Sequence, residues 1–329
     1  MKVLITGGAG YIGSTVASAC EDAGHDVVIL DDFSTGRREF VGKRPLYEGD
    51  IADDSLLDRL FEEQQIDAVV HCAAKIIVPE SVSEPLAYYK NNVAKTVTLL
   101  AALQRNGVER FLFSSSASIY APDENFVVTE DSPLQPGSPY ARTKFMVELI
   151  LEDFTRASDV RVASLRYFNP IGTDPKLRSG QQLEKPSHVL AKLLEAWVNK
   201  ETFTVTGVDW PTRDGSGIRD FIHVWDLARA HVAALEHFDE ATATDPYQVF
   251  NIGTGNGVTV KELAASFEKI TGDPLKVRFG DPRPGDVAGV YTVSTKAKDV
   301  LGWKAELTET DAVRDAIAWL SVRKEKLGY

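Results

Sequence analysis

The run Thr6-Gly7-Gly8-Ala9-Gly10-Tyr11-Ile12-Gly13 constrains this chain more than any other stretch. Before it, Lys2 to Thr6 reads as a short buried strand; after it, Tyr11 to about Ala23 reads as a helix. Gly24-His25 ends that helix, and Asp26 to Leu30 (DVVIL) reads as a second strand. Strand, helix and strand fit within about thirty residues, the size of one βαβ unit. Gly7, Gly10 and Gly13 let the backbone turn sharply and approach a pyrophosphate. The helix N-terminus offers that anion unpaired N–H groups and a partial positive charge. Such a turn between a strand and a helix, with an acidic residue ending the next strand, points to a bound dinucleotide.

Asp31 is that acidic residue. A carboxylate there accepts both ribose hydroxyls of an adenosine and repels a 2′-phosphate. Arg37 and Arg38 raise NADP as the alternative, but the Asp31-Asp32 pair outweighs them, so NAD is the expected cofactor. Asp50 has two readings: an approach to the adenine, or a cap for the helix that starts near Asp53.

The alternation continues. Pro45 to Glu48, Asp67 to Cys72, Arg110 to Phe113 and Val160 to Tyr167 read as strands, separated by helices over 54–64, 91–106 and 138–157. Apolar strands alternating with amphipathic helices imply an α/β fold, a doubly wound parallel sheet of Rossmann type covered on both faces. After Phe168 the character changes. Residues 169–186 and 209–217 read as loops, helices are expected over 188–200, 226–238 and 259–271, and strands over 202–207 and 249–252. The division expected is a NAD-binding domain over 1–168 and a smaller α+β substrate domain over 169–329, with elements around 220–255 returning to the first.

A net charge of -12 argues against a nucleic-acid partner, which would need clustered Lys and Arg. The two cysteines, Cys20 and Cys72, form no metal-ligand spacing and no disulfide framework, so no metal is expected. No apolar run approaches the length of a membrane span, and the N-terminal apolar stretch is too short for a signal-peptide core, which leaves a cytoplasmic protein as the expectation.

Tyr140 and Lys144 stand four residues apart, on one face of the helix over 138–157. A free phenol titrates near 10; a nearby ammonium and a positive nicotinamide both favour the phenolate. Bringing it close to neutrality asks for about 4 kcal/mol, within reach of two close positive charges in a desolvated cleft. Such a phenolate is a suitable base for a sugar hydroxyl. Ser114-Ser115-Ser116 ends the fifth strand, where a serine hydroxyl can bind the reacting oxygen.

With these features in place, the sequence resembles the extended short-chain dehydrogenase/reductase superfamily over nearly its whole length, and within it the UDP-glucose 4-epimerase family. The matching stretches are TGGAGYIGS at 6–14, Asp31-Asp32, the ESV…P run at 80–85, NNV at 91–93, FSSSASIY at 113–120, SPYARTK at 138–144, LRYFN at 165–169, RDFIHVWDLA at 219–228 and FNIGTG at 250–255. The resemblance implies that Ser116 and Tyr140 meet the sugar 4-hydroxyl while Lys144 lowers the tyrosine pKa and holds the nicotinamide ribose. It places Gly7, Gly10, Tyr11, Ile12, Gly13, Asp31, Asp32, Asp50, Ile51, Cys72, Ala73, Asn91 and Phe168 against the NAD, and Asn169, Arg219, Arg283 and Asp286 against the UDP portion. Two arginines suit a diphosphate and a carboxylate suits a ribose diol.

The implied activity interconverts UDP-glucose and UDP-galactose: Tyr140 takes the 4-hydroxyl proton, the C4 hydride moves to NAD, and a 4-keto sugar turns and receives the hydride on its other face. A dehydratase would need an acid and a base where Ala117 and Ser118 stand. The rival activities are epimerisation of UDP-N-acetylglucosamine or UDP-glucuronate, and a non-catalytic NAD-sensing regulator, against which the intact Ser-Tyr-Lys set argues. The chain departs from the family at Lys75, one place before the usual lysine, with Ile76 in that place, and at Ala121 and His188. The small Val290 is expected to leave room for an N-acetyl group. Surplus apolar residues on the helices over 91–106 and 138–157, including Phe145, Met146, Leu149 and Ile150, together with the resemblance, imply a homodimer.

Overall fold

In the computed structural model, which describes residues 1–121, 123–184, 186, 188–282 and 287–329, the apolar runs of the first half line up in one parallel sheet. Its N-terminal part runs β1 (Lys2–Thr6), α1 (Tyr11–Asp22), β2 (Asp26–Asp31), β3 (Leu46–Glu48), α2 (Asp54–Gln64) and β4 (Ala68–His71). Two short helices, α3 (Val78–Ser83) and α4 (Pro85–Tyr88), lead through a π-helical turn at Tyr89–Ala94 into α5 (Lys95–Arg105). Then come β5 (Arg110–Ser114), the short β6 (Val127–Val128), α6 (Pro139–Ala157) and β7 (Arg161–Tyr167). The rest of the chain contributes β8 (Asn169–Ile171), α7 (Val189–Asn199), β9 (Thr202–Thr206), β10 (Ile218–His223), α8 (Val224–Glu236), α9 (Phe238–Ala241), β11 (Tyr247–Ile252), β12 (Gly257–Thr259), α10 (Val260–Thr271), β13 (Lys276–Gly280), β14 (Tyr291–Thr292), α11 (Thr295–Leu301) and α12 (Glu309–Leu327).

The seven-stranded sheet has the order β11-β7-β5-β4-β1-β2-β3, with every neighbouring pair parallel. The direction of winding reverses between β1 and β4, and in such sheets ligands bind beyond the strand C-termini at that crevice. The central strands read as unbroken apolar runs because both faces are covered. One face packs on α1 and α8 through Val16, Ala17, Leu227 and Leu235; the other packs on α2, α5 and α6 through Leu57, Leu60, Leu100, Leu103, Val147 and Leu151.

A third core joins α7, α10 and α12 to β9 and β10 through Leu193, Phe203, Phe221, Phe267 and Val313. Three small sheets accompany it: β12-β10-β8, β13-β9 and β14-β6. Two local expectations need correction. The stretch expected to be loop from 169 begins as β8, which pairs in parallel with β10 at Asn169↔Phe221; its glycines and prolines conceal a pairing made more than fifty residues away. The helix expected from Asn91 is π-wound up to Ala94, and the α-helix proper starts at Lys95.

Candidate active site

The glycine turn is built by steric necessity at two positions. Gly7 has φ +69°, and its N–H bonds to Leu30 O at 2.8 Å, tying the turn to β2. A Cβ on Gly13 would sit 2.2 Å from Gly7 O, so only glycine lets α1 start this close to β1. Gly10 caps α1 without a side-chain hydrogen bond, which leaves the first N–H groups of the helix to a ligand. Tyr11 and Ile12 form its first turn; the Tyr11 hydroxyl donates to Gly172 O at 2.7 Å, and burial pushes its phenol upward.

Asp31 is buried at the end of β2, where its carboxylate accepts from Ala9 N at 2.9 Å and Phe33 N at 2.8 Å; burial lifts its pKa above the usual range. Asp32 is exposed and accepts from Ser34 N and Oγ. The two nearby arginines are engaged elsewhere. Arg37 lies over the Tyr329 ring at 4.9 Å, and Arg38 pairs with Glu48 at 2.5 Å and covers Phe33. Asp50 bonds Ala52 N and pairs with Lys95 at 2.5 Å, while Asp53 itself caps α2 by accepting from Leu56 N. The capping alternative for Asp50 therefore falls, and Ile51 beside it is buried.

Ser138 and Pro139 start α6: Ser138 Oγ accepts from Ala141 N, and Pro139 occupies the first turn where a missing N–H costs nothing. Tyr140 and Lys144 follow one turn apart, both buried. Lys144 Nζ donates to Ser114 O at 2.7 Å and stands 4.7 Å from the Phe113 ring centroid; burial lowers its pKa to about 8. The Ser116 hydroxyl donates to Ser118 Oγ at 2.9 Å and is near enough to the Tyr140 phenol to favour its ionised form. The lowering expected from the sequence counts on a bound nicotinamide as well as on Lys144. In the chain itself burial pushes the Tyr140 phenol up, with the Ser116 hydroxyl pulling the other way.

Around this centre lie His231, His71 and Glu148, which the sequence did not single out. Ser114 Oγ is 3.0 Å from His231 Nε2 and 3.3 Å from Cys72 Sγ. Burial holds His231 neutral, near pKa 4, and its Nδ1 is 2.9 Å from Leu227 O. Nδ1 therefore carries the proton, and Ser114 donates to Nε2. His71 is likewise held neutral, near pKa 3, between Thr6 and Thr96. Ser115 Oγ donates to Glu148 Oε1, and Glu148 meets Arg166 in a buried ion pair. Arg166 stands in the LRYFN stretch, and nothing in the sequence told which carboxylate it meets.

The remaining expected positions are spread around the mouth of the site. Ala73 backs directly against Gly7, and burial raises the Cys72 thiol to about 11. Asn91, on the π-helical turn, donates to Asn92, which in turn fixes Lys75 O and Thr143 Oγ1; such turns recur at functional sites. Lys75 pairs with Glu80 at 3.0 Å. Phe168 packs with Ala117, Tyr120 and Val128 against Val290. Asn169 opens β8 beside β10, and Arg219 on β10 donates to Ile218 O, Ala288 O and Val287 O. Arg283 and Asp286 lie outside the described residues.

Comparison with known proteins gives the same picture at full length. Residues 3–253 match the model of the NAD dependent epimerase/dehydratase family. The UDP-glucose 4-epimerase of Azospirillum brasilense is 40% identical over 99% of this chain and 94% of its own. A crystal structure of UDP-glucose-4-epimerase from Stenotrophomonas maltophila with bound NAD and formylated UDP-arabinopyranose superposes with a TM-score of 0.94 at 36% identity, covering 99% of both chains. One from Bifidobacterium longum, in complex with NAD+ and UDP, superposes with a TM-score of 0.92 at 35% identity over 100% of both. Likeness in sequence and in fold, sustained from end to end, makes this chain a member of the NAD dependent epimerase/dehydratase family, on its UDP-glucose 4-epimerase branch.

Proposed function

We propose that the protein is an NAD-dependent 4-epimerase that interconverts UDP-glucose and UDP-galactose through a 4-keto sugar. The observation that carries this reading is the hydrogen bond from Lys144 Nζ to Ser114 O at 2.7 Å, which ties the helix that carries the buried Tyr140 to the strand that ends in the serine run, within the sheet whose first turn is the glycine cradle. NAD fits that cradle: α1 begins with uncapped N–H groups, Gly13 and Gly7 remove the side chains that would block close approach, and Asp31 stands at the end of β2. Gly7, Gly10, Tyr11, Ile12, Gly13, Asp31, Asp32, Asp50, Ile51, Cys72, Ala73, Asn91 and Phe168 would hold it. When bound, it supplies the acceptor and donor of the C4 hydride.

The chain's own residues manage the proton. Tyr140 takes it from the 4-hydroxyl, and Ser116 binds the same oxygen as charge develops on it. Burial works against the phenolate, so the positive charge that lowers its pKa has to come from Lys144 together with the cofactor. Asn169, Arg219, Arg283 and Asp286 would grip the UDP, leaving the sugar free to turn. Val97 on α5 and Met146 and Leu149 on α6 are exposed apolar side chains, which supports a homodimer through these helices. Only monomer in a sedimentation run at micromolar concentration would exclude it. Among the described residues no helix is long and apolar enough to cross a membrane. Cytoplasmic residence belongs to the same reading, and Cys20 and Cys72 are free thiols.

The test is to incubate the purified protein with UDP-galactose and no added cofactor. Epimerase activity yields UDP-glucose, with NAD released on denaturation. Net NADH would mean a dehydrogenase, and no turnover a binding module.

A further inference from the structure

Two side chains that no step of the proposed reaction uses are buried as an ion pair beside the active serine. Arg166 on β7 meets Glu148 on α6 with Nε 3.0 Å from Oε1 and Nη2 2.6 Å from Oε2; the side chains are 6% and 4% exposed. Burying such a pair contributes little net stability, because desolvation offsets most of the attraction. What the pair touches suggests another use. Glu148 Oε1 also accepts from Ser115 Oγ at 2.5 Å. On its other side, Arg166 Nη1 donates to the Tyr120 hydroxyl at 3.0 Å, and that hydroxyl donates to Asn251 Oδ1 at 2.6 Å. Ser115 and Tyr120 bracket Ser116. One ion pair therefore holds both ends of the segment that presents the serine.

Glu148 also sits two turns beyond Tyr140 on the same helix, one turn beyond Lys144. The serine segment and the tyrosine helix belong to separate elements, which Lys144 ties together at Ser114 O, two residues before Ser116. The Glu148 carboxylate adds a second tie closer to the reacting hydroxyl, accepting from the residue directly before Ser116. We infer that Glu148 and Arg166 are positioning residues that set Ser116 against Tyr140 through Ser115 and Tyr120. Neither touches the substrate in this scheme. Their effect is geometric, and a misplacement of about 1 Å at a reacting centre is enough to slow chemistry severely. The inference rests on the epimerase reading and deepens it.

Two variants test it without unpairing the buried charges. Ser115→Ala cuts the link from Glu148 to the serine segment, and Tyr120→Phe cuts the link from Arg166 while keeping the ring. Each is expected to lower kcat for UDP-galactose about tenfold, equivalent to about 1.4 kcal/mol. KM, the amount of NAD released on denaturation and the melting temperature should stay near wild type, a split that a purely structural role would not produce. Both variants showing this signature supports the inference. Wild-type kcat in either one, or a loss shared by kcat, KM and retained NAD, overturns it. Wild-type protein inert toward UDP-galactose would instead overturn the epimerase reading itself.

Discussion

Lys144 donates to the carbonyl oxygen of Ser114 at 2.7 Å, so the strand that ends in the serine run and the helix that carries the tyrosine are joined by an ammonium group. The contact fixes where the positive charge sits, and burial brings that charge within reach of titration near pH 8.

Replacing Lys144 by methionine separates its electrostatic from its packing role. The folded-state pKa is lowered from 10.5 to about 8. Below 8 both folded and unfolded chains hold the proton, and the folded chain bears the cost of burying it. Between 8 and 10.5 the folded chain has lost a proton that the unfolded chain keeps, so this group makes stability rise with pH. The stability of wild type relative to Lys144→Met should therefore grow by about 3 kcal/mol across that window, measured by urea unfolding at several pH values. A flat difference would mean that the ammonium is better solvated than its burial implies.

Tyr140→Phe removes the base and leaves the ring packed. Epimerisation of UDP-galactose should fall about a thousandfold, while the melting temperature changes little. The check is a coupled assay for UDP-glucose beside a thermal scan. Turnover within tenfold of wild type would assign the proton to another group.

Gly13→Ala places a methyl 2.2 Å from Gly7 O and 2.9 Å from Gly8 Cα, both backbone atoms that cannot swing aside. The cost should be about 1–3 kcal/mol of stability, together with loss of NAD on gel filtration, read from the absorbance of the denatured supernatant.

Val290 is small and packs at the edge of the cluster formed by Ala117, Tyr120, Val128 and Phe168. UDP-N-acetylglucosamine should be turned over by wild type, and Val290→Tyr should abolish that activity while sparing UDP-galactose. No conversion of the N-acetylated sugar by an active wild-type protein would remove the idea.

The parallel sheet was legible because its central strands, such as Val3-Leu4-Ile5 and Phe111-Leu112-Phe113, are covered on both faces and so carry no polar alternation. The glycine turn, Tyr140 and Lys144 were legible because their spacing is local. Partners far apart in sequence were not. Tyr120 meets Asn251 across 131 positions and Arg110 meets Asp239 across 129, and neither leaves a periodic trace. The π-helical turn at 89–94 was hidden because one extra residue per turn scarcely alters the apolar rhythm of the helix that follows. How far burial alone lifts the Tyr140 phenol was not legible, because a sequence shows which charges are near and not how much water is excluded.

The stacking of Arg37 on Tyr329 and the pairing of Arg38 with Glu48 bear on which nucleotide pool the protein draws from. A dinucleotide carrying a further phosphate on its adenosine ribose would bring that group up to the carboxylate of Asp31. The guanidinium groups best placed to neutralise it are already held by an aromatic ring and a glutamate. Swings in a cell's biosynthetic reductant should therefore pass this enzyme by.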